Sequence, residues 1–410
     1  MIRYDFVTWN NNINLNTIAY PLYVYLELTS ICNFKCNFCS VGNKKNDYMP
    51  LETAYKALDE LKKNNIYDVY YTGGEPLMHP QFKEIVEYAN RIGIRQTILT
   101  NGYFLPKYLN LLPKIECVCV SFHGDEKIFN NLVGGNYFDI IKKNILIAKK
   151  VTNVKINYTV VNQNNNLKSM KSVLNFSKTN NIDVSFSKYN NIGIGKSNSC
   201  GLDVKKFLIN ADKLISEGYY FTINDCIASC LASSRYSYLT HGCGAGYCFC
   251  SIDSNGNIKI CPSSTYFVGN INKNSFKHCW NNKKLKNFRS LKWIPIYCKS
   301  CKNLEKCRCG CKVELSDDIL KFNDYQVNNM KEEMWNEIEY SKMKVNISLL
   351  RKDKKFYLSL SKPPRLYSYD AVKVLKELNS GVLPAELYKQ KDFILSLYRD
   401  KVLEKAEDVK

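Results

Sequence analysis

Cys32-Asn33-Phe34-Lys35-Cys36-Asn37-Phe38-Cys39 follows directly on an apolar run, Tyr23 to Leu28, that reads as a buried strand. Three thiols at CxxxCxxC spacing in one loop can converge on a single soft metal centre. Iron–sulfur clusters are held by cysteine thiolates at short spacings of this kind. Three protein ligands on a four-iron cluster leave one iron open. An open coordination position means chemistry, by the logic that separates catalytic from structural zinc. The competing reading is a zinc knuckle or a set of buried thiols. Zinc asks for a fourth ligand nearby, and no His or Cys follows closely.

The spacing, with aromatic Phe38 just before the last cysteine, resembles the signature of the radical S-adenosylmethionine (SAM) superfamily. The resemblance implies a 4Fe–4S cluster on Cys32, Cys36 and Cys39, whose open iron SAM chelates through its amino and carboxylate groups. It also implies the chemistry. An electron from the cluster splits SAM into methionine and a 5′-deoxyadenosyl radical, which abstracts a substrate hydrogen.

A chain of 410 residues has room for two or three domains, and 45% hydrophobic content with 13% aromatic supports a sizeable core. No apolar run is long enough to span a bilayer. Met1 to Asn16 lacks the basic segment and apolar core of a signal peptide, so a soluble cytoplasmic protein is expected, with no membrane partner. Eighteen cysteines in such a chain point to metal rather than a disulfide scaffold. The net charge of +20, from 58 Lys+Arg against 38 Asp+Glu, favours an anionic partner: nucleic acid, an acidic peptide, or an electron carrier such as flavodoxin or ferredoxin. A proteome biased toward Lys, Asn, Ile and Tyr explains the charge equally well. No Lys/Arg cluster with interleaved aromatics stands out, so nucleic acid is not the expected partner.

From Tyr23 to about Ser187 short apolar runs alternate with helical patterns. Strands are expected at Tyr23–Leu28, Asp68–Tyr71, Arg95–Leu99, Cys117–Phe122, Val154–Val160 and Asp183–Ser187. Helices are expected at Leu51–Lys63, Gln81–Ile92, near Leu105–Leu112, and at Phe138–Lys150 and Leu167–Thr179. This alternation means α/β with a parallel sheet, and the family's partial (β/α)6 TIM-like barrel fits the count. In such barrels function sits on the loops after the strands. Those loops carry Thr72-Gly73-Gly74-Glu75-Pro76, Thr100-Asn101-Gly102 and Ser121-Phe122-His123-Gly124. Two glycines let a backbone approach a ligand closely. Each motif also reads as an ordinary turn. The resemblance implies SAM contacts at Phe38, Gly73, Gly74, Glu75, Pro76, Asn101, Ser121 and Asn157. It adds Gly193, in Asn191-Ile192-Gly193-Ile194-Gly195-Lys196, as a backbone contact to adenine. His123 stands where family members often have Asp, and reads as a ligand contact, a tuned acid–base group or a hydrogen-bonded loop histidine. No residue is singled out as the group that reacts with substrate. Cys117 and Cys119 share one face of a strand and read as core. Cys226 and Cys230, spaced i, i+4 after an expected helix at Val204–Ser216, read as ligands or packed thiols, with packing favoured.

Ten cysteines lie between Cys243 and Cys311. Cys243 precedes a strand–turn–strand pattern, Phe249 to Ile260, turning at Ser254-Asn255-Gly256, where Asn-Gly is a strong hairpin signal. Cys261 follows, and then Cys298, Cys301, Cys307 and Cys311 in CxxC-x5-C-x3-C spacing. With Gly269-Asn270 and Trp280, this resembles the SPASM extension of radical SAM maturases, which holds two auxiliary iron–sulfur clusters. The resemblance gives one cluster to Cys243, Cys261 and Cys311, with Cys248 or Cys250 to complete it. It gives the other to Cys298, Cys301 and Cys307. The family's usual last ligand is a cysteine downstream, and none occurs after Cys311. An Asp, Cys309, Cys279, substrate or an open site are the alternatives. Zinc ribbons on the same thiols are the competing reading.

The expected organisation is an arm at 1–21, the barrel at 22–200, a bridging helix with the SPASM-like region at 201–340, and a small C-terminal α+β module at 341–410. That module has strands at Asn346–Leu350 and Lys355–Leu360 and helices at Tyr369–Leu378, Pro384–Gln390 and Asp392–Leu403. It resembles a winged-helix-like peptide-recognition domain, with a helical cap or a DNA-binding winged helix as alternatives. The function expected is radical modification of a ribosomally made peptide or protein: thioether or carbon–carbon cross-linking, epimerisation or residue oxidation. A radical enzyme of cofactor biosynthesis acting on a small molecule is the second reading. An iron–sulfur electron-transfer or scaffold protein is the third.

Overall fold

Tyr23–Thr29 forms β1, and the rest of the larger unit is built outward from it. The computed structural model describes residues 8–9, 19–41, 47–198, 200–232, 234–291, 293–294, 296–301, 303–314, 335–336, 338–345, 350–352, 357–359, 365–367, 369–399 and 403–406. The arm expected at 1–21, apart from 8–9 and 19–21, lies outside these residues. So do 346–349, 355–356 and 360 of the two expected tail strands.

After β1 come β2 (Asp68–Gly73), β3 (Arg95–Thr100), β4 (Cys117–Ser121), β5 (Val154–Val160), β6 (Asp183–Lys188) and a short β7 (Thr222–Ile223), each parallel to the one before. At the other edge β8 (Phe249–Ile252) pairs parallel with β1, and β9 (Asn257–Lys259) and β10 (Phe267–Asn270) extend it antiparallel. The six expected barrel strands are all present, and the Asn255-Gly256 hairpin is the β8–β9 turn.

Alternation along the strands separates two faces. Val24, Leu26 and Leu28 of β1, Val69 and Tyr71 of β2, Val118 and Val120 of β4, and Ile156 and Tyr158 of β5 are fully buried. This is the face that receives the apolar sides of α1 (Leu51–Lys63), α2 (Phe82–Arg91), α3 (Glu126–Val133), α4 (Phe138–Lys149) and α5 (Leu167–Thr179). The opposite face carries Tyr23, Tyr25, Cys117 and Cys119 near the start of its strands and turns polar toward their C-terminal ends. Register partners there include Glu27 with Thr72, Ser121 with Asn157, Asn157 with Ser185, and Thr159 with Ser187. A parallel sheet buried on both faces ordinarily carries continuous apolar strands. The polar alternation marks this second face as the lining of a site.

Two local differences have identifiable causes. The helix expected near Leu105–Leu112 is two short 3-10 turns, Leu105–Tyr108 and Leu112–Lys114, because Pro106 and Pro113 each start a turn but cannot sit inside a longer helix. α3 was not anticipated. Asp125 caps it by accepting from Ile128 N–H at 3.3 Å, and Gly134 ends it in the left-handed region.

The chain divides into two compact units, 18–223 with 244–293, and 1–17 with 224–243 and 294–410. In the second unit Thr8–Trp9 pairs parallel with Arg365–Tyr367, which continues antiparallel to Tyr357–Ser359 and Leu350–Lys352. Met343–Val345 pairs with Leu403–Lys405. The helices Tyr369–Asn379 and Lys391–Arg399 bury Leu375, Leu378, Ile394 and Leu397 together with Trp335 and Ile338. Among the described residues no helix is long and apolar enough to cross a membrane.

Candidate active site

β1 delivers the loop of Cys32, Cys36 and Cys39, and three neighbouring segments fix that loop by backbone contacts. The first is the β2 turn. Gly74 N–H donates to Thr29 O at 2.6 Å and Glu75 N–H to Ile31 O at 2.7 Å. A Cβ on Gly73 would stand 2.1 Å from Thr29 O, and one on Gly74 would stand 2.1 Å from Ile31 O. The glycines therefore let two chain segments touch immediately before Cys32. The second segment is the end of α3: Lys35 and Asn37 N–H donate to Val133 and Leu132 carbonyls at 3.2 and 3.0 Å. The third is the 193–200 turn. Gly195 N–H donates to Cys39 O at 3.0 Å, and Gly193, at φ +59°, would carry a Cβ only 2.3 Å from Ser40 O.

Glu75 caps the Pro76–Met78 turn and latches the next strand. Its Oε1 accepts from Leu77 N–H at 3.1 Å and Thr100 Oγ1 at 2.7 Å, and its Oε2 accepts from Asn101 N–H at 2.8 Å. Pro76 is buried at the first position of that turn. Burial lifts the Glu75 carboxyl to about 7 against three hydrogen bonds that favour its charge. Both oxygens are thus engaged within the chain, and Glu75 acts on the loop by positioning Asn101. Asn101 in turn donates to Asn33 Oδ1 at 2.8 Å and lies 3.8 Å from Cys32 Sγ. Asn33 carried no sequence signal, because its role depends on where β3 ends.

Ser121 and Asn157 are adjacent at the strand ends on the polar face, both partly exposed, with Asn157 Oδ1 accepting from Ser187 Oγ at 2.7 Å. His123 is buried. Its Nδ1 accepts from Thr159 N–H at 3.0 Å, so the proton sits on Nε2, and burial holds the ring neutral with a pKa pushed down to about 3. Of the three readings of His123, the hydrogen-bonded loop histidine describes what is seen. Phe38 packs its ring edge-on to His123 at 4.9 Å, within a cluster of Leu132, Val161, Tyr189 and Cys200.

Two observations fit a cluster with a bound small molecule on this loop. Cys32, Cys36 and Cys39 are not in disulfides and are partly exposed, whereas Cys117 and Cys119 are buried in β4 as expected of core thiols. Asn37 Oδ1, inside the loop, is a buried acceptor with no hydrogen-bond partner among the described residues. No three ligand-type side chains among those residues gather on the point a single ion would occupy. A cube of iron and sulfide is a wider body, and its thiolates need not meet at one point.

The second cysteine field is split between the units. In the larger one, Cys250 is fully buried on β8 opposite Val24, and Cys248 is buried beside it. Burial pushes the Cys250 thiol up, partly offset by Arg289. Cys261 follows β9 and remains partly exposed. Gly269 is required by Cys279, whose Sγ would stand 2.4 Å from an added Cβ. In the other unit, Cys226 hydrogen-bonds with Cys243 and Cys311, and these contacts raise its pKa well above that of a free thiol. Cys230 is raised to about 11, by burial first and then by the neighbouring thiols Cys307, Cys298 and Cys301. Cys309 hydrogen-bonds with Cys298. Cys226 and Cys230 resist ionising beside these thiols, and a bound metal removes that penalty by deprotonating its ligands outright. The sequence favours packing for Cys226 and Cys230; the structure sets both beside thiols that are candidate ligands.

Residues 26–175 match the family model of the radical SAM superfamily, and residues 243–312 match that of the SPASM iron–sulfur cluster-binding domain. Among curated proteins, the chain is 26% identical to mycofactocin maturase MftC of Mycobacterium tuberculosis over 309 residues, 71% of this chain and 78% of the relative. It is 24% identical to the PqqA peptide cyclase of Bradyrhizobium diazoefficiens over 316 residues, 72% of this chain and 83% of the relative. Among solved structures, Streptococcus suis SuiB bound to its precursor peptide SuiA superposes with a TM-score of 0.62 at 22% identity, covering 73% of each chain. SuiB has also been solved with S-adenosylmethionine. The chain is a radical SAM enzyme, with a 4Fe–4S and SAM-binding domain followed by a SPASM domain for auxiliary iron–sulfur clusters.

Proposed function

We propose that this enzyme modifies a ribosomally made peptide or protein by hydrogen-atom abstraction. When bound, the cluster and SAM supply the radical that takes the hydrogen. The observation that carries the reading is the joint presence of a backbone-locked CxxxCxxC loop and a second set of gathered cysteines, in a chain whose maturase relatives match it across 71–72% of its length. Cys32, Cys36 and Cys39 hold the cluster, and the glycine contacts at Gly73, Gly74 and Gly193 keep their loop in place. Phe38, Pro76, Asn101, Ser121 and Asn157 surround the position SAM takes, with Glu75 fixing the Asn101 turn. The polar sheet face, with Asn157 and Ser187, offers hydrogen-bonding groups suited to a peptide backbone. The product is a thioether or carbon–carbon cross-link, an epimer or an oxidised residue. A flavodoxin or ferredoxin supplies the electron, and the charge of +20 suits such an acidic carrier. The C-terminal strands and helices bind the peptide's leader.

Anaerobically reconstituted enzyme, reductant and SAM, incubated with a short peptide encoded beside the gene, tests the proposal. A peptide mass change accompanied by 5′-deoxyadenosine is expected. SAM cleavage stimulated by a small molecule and by no peptide would overturn the peptide reading.

A further inference from the structure

Cys226 and Cys230 lie upstream of every cysteine in the motif that defines the auxiliary-cluster domain, yet the fold carries them to it. Ser229 N–H donates to Cys307 Sγ at 3.4 Å. Gly310, at φ +63°, leaves room for Ala228: a Cβ there would stand 2.8 Å from Ala228 Cβ and 3.1 Å from its Cα and N. The 226–230 segment is therefore pressed onto the 307–311 loop. Ala228 is extended, at φ −62° and ψ 132°, and leads into the 3-10 turn Ser229–Leu231, so Cys226 lies before the point where the chain turns and Cys230 within the turn.

The thiols divide accordingly. Cys226 touches Cys243 and Cys311, and Cys230 borders Cys307, Cys298 and Cys301. Between Cys307 and Cys311 the backbone makes a left-handed run, with φ of +48°, +67° and +63° at Arg308, Cys309 and Gly310. That turn sends Cys307 and Cys311 to different groups, and backbone N–H groups in turns of this kind line many iron–sulfur sites.

We propose that Cys226 and Cys230 are each a ligand of a different auxiliary cluster: Cys226 of the one served by Cys243 and Cys311, Cys230 of the one served by Cys298, Cys301 and Cys307. No cysteine occurs between residues 312 and 410, so Cys230 takes, from the N-terminal side, the place of the expected downstream ligand. The rival is Cys309, which touches Cys298 and borders Cys307. With Cys230 bound, this second set has four thiolates, and none of its irons is left open to a substrate sulfur. Its role is then to carry an electron. Each thiol releases its proton as it takes the metal. The inference concerns the clusters alone and stands whatever the substrate proves to be.

The test uses the full-length chain with Cys32, Cys36 and Cys39 all changed to Ala, so that only auxiliary clusters load. Iron, sulfide and the EPR and Mössbauer spectra are measured after anaerobic reconstitution. Cys230→Ala and Cys226→Ala should each lose about half the iron or convert one cluster to a three-iron form, on different clusters, while Cys309→Ala keeps both. Unchanged iron and spectra in Cys226→Ala or in Cys230→Ala would overturn the proposal. So would loss of a cluster in Cys309→Ala with none in Cys230→Ala. Should the alanine variants fail to fold, Cys226→Ser and Cys230→Ser keep a ligand of different character. Each should shift the spectrum of one cluster, and unshifted spectra would refute the assignment.

Discussion

Gly74→Ala places one methyl group where the structure has no room for it. The added Cβ would stand 2.1 Å from Ile31 O, 2.6 Å from Ile31 C and 2.7 Å from Ser30 O. All three are backbone atoms, so no side chain can swing aside. An ordinary contact needs about 3.5 Å, so β1 and the β2 turn must part by roughly 1 Å. Overpacking of this kind costs about 1–3 kcal/mol, which a domain of this size can survive. The displacement falls on Ile31, the residue before Cys32. A misplacement of about 1 Å at a reacting centre can cost roughly 100-fold in rate. Gly74→Ala should therefore fold with a normal far-ultraviolet circular dichroism spectrum and cleave SAM at about 1% of the wild-type rate, measured as 5′-deoxyadenosine after anaerobic reconstitution. Gly218→Ala is the control. Gly218, at φ +82° after the helix Val204–Ser216, has nothing within 4 Å of an added Cβ. That change should cost about 1–2 kcal/mol of stability and leave SAM cleavage intact. If Gly74→Ala cleaved SAM at the wild-type rate, the account of the glycine pair as a positional lock would be wrong.

Three further outcomes are expected. Glu75 has a folded pKa of about 7 against an ordinary value of 4.5, so the folded state holds its proton more firmly and stability falls as pH rises between those values. Denaturant unfolding at pH 5 and 7.5 should show wild type losing about 2 kcal/mol more than Glu75→Gln, and parallel losses would contradict the burial of that charge. Lys259 of β9 pairs across β8 with Glu27 of β1 at 2.7 Å, and Ser251 of β8 donates to the same carboxylate. Lys259→Met should cost about 3–5 kcal/mol by stranding a buried carboxylate, and adding Glu27→Gln should restore most of it; a double variant no more stable than the single would refute the pairing. His123, with a folded pKa of about 3 against 6.5, stays neutral in the folded protein. Stability is fully present above pH 6.5 and falls on acidification, by about 2 kcal/mol at pH 5, in wild type but not in His123→Gln. A His123 ring resonance that titrates between pH 5 and 8 would exclude this.

Much of the larger unit was legible because its signals are local. Tyr23–Leu28, Val154–Val160 and Leu167–Thr179 declare themselves by apolar period and by the residues that end them, and their limits agree with the observed strands and helix to within a residue. Near Leu105 the expected helix gives way to two short turns because Pro106 and Pro113 override the apolar spacing. α3 was missed although Asp125 and Gly134 bracket it as a cap and a stop. For Glu75 a motif shows only residue type, and the fold adds that both of its oxygens also take donors from within the chain.

The cysteine spacing at 32–39 and the CxxC-x5-C-x3-C tail were enough to determine the kind of chemistry, since metal preference follows from thiolate number and short-range spacing, and both are written in the chain. Which distant thiols join them was decided only by tertiary structure. Cys226 lies 17 residues before Cys243 and 85 before Cys311, and contact across such separations depends on how the 226–230 segment seats against Gly310. Nothing in the local order of residues encodes that seating, because it arises from packing between segments that meet only once the chain has folded.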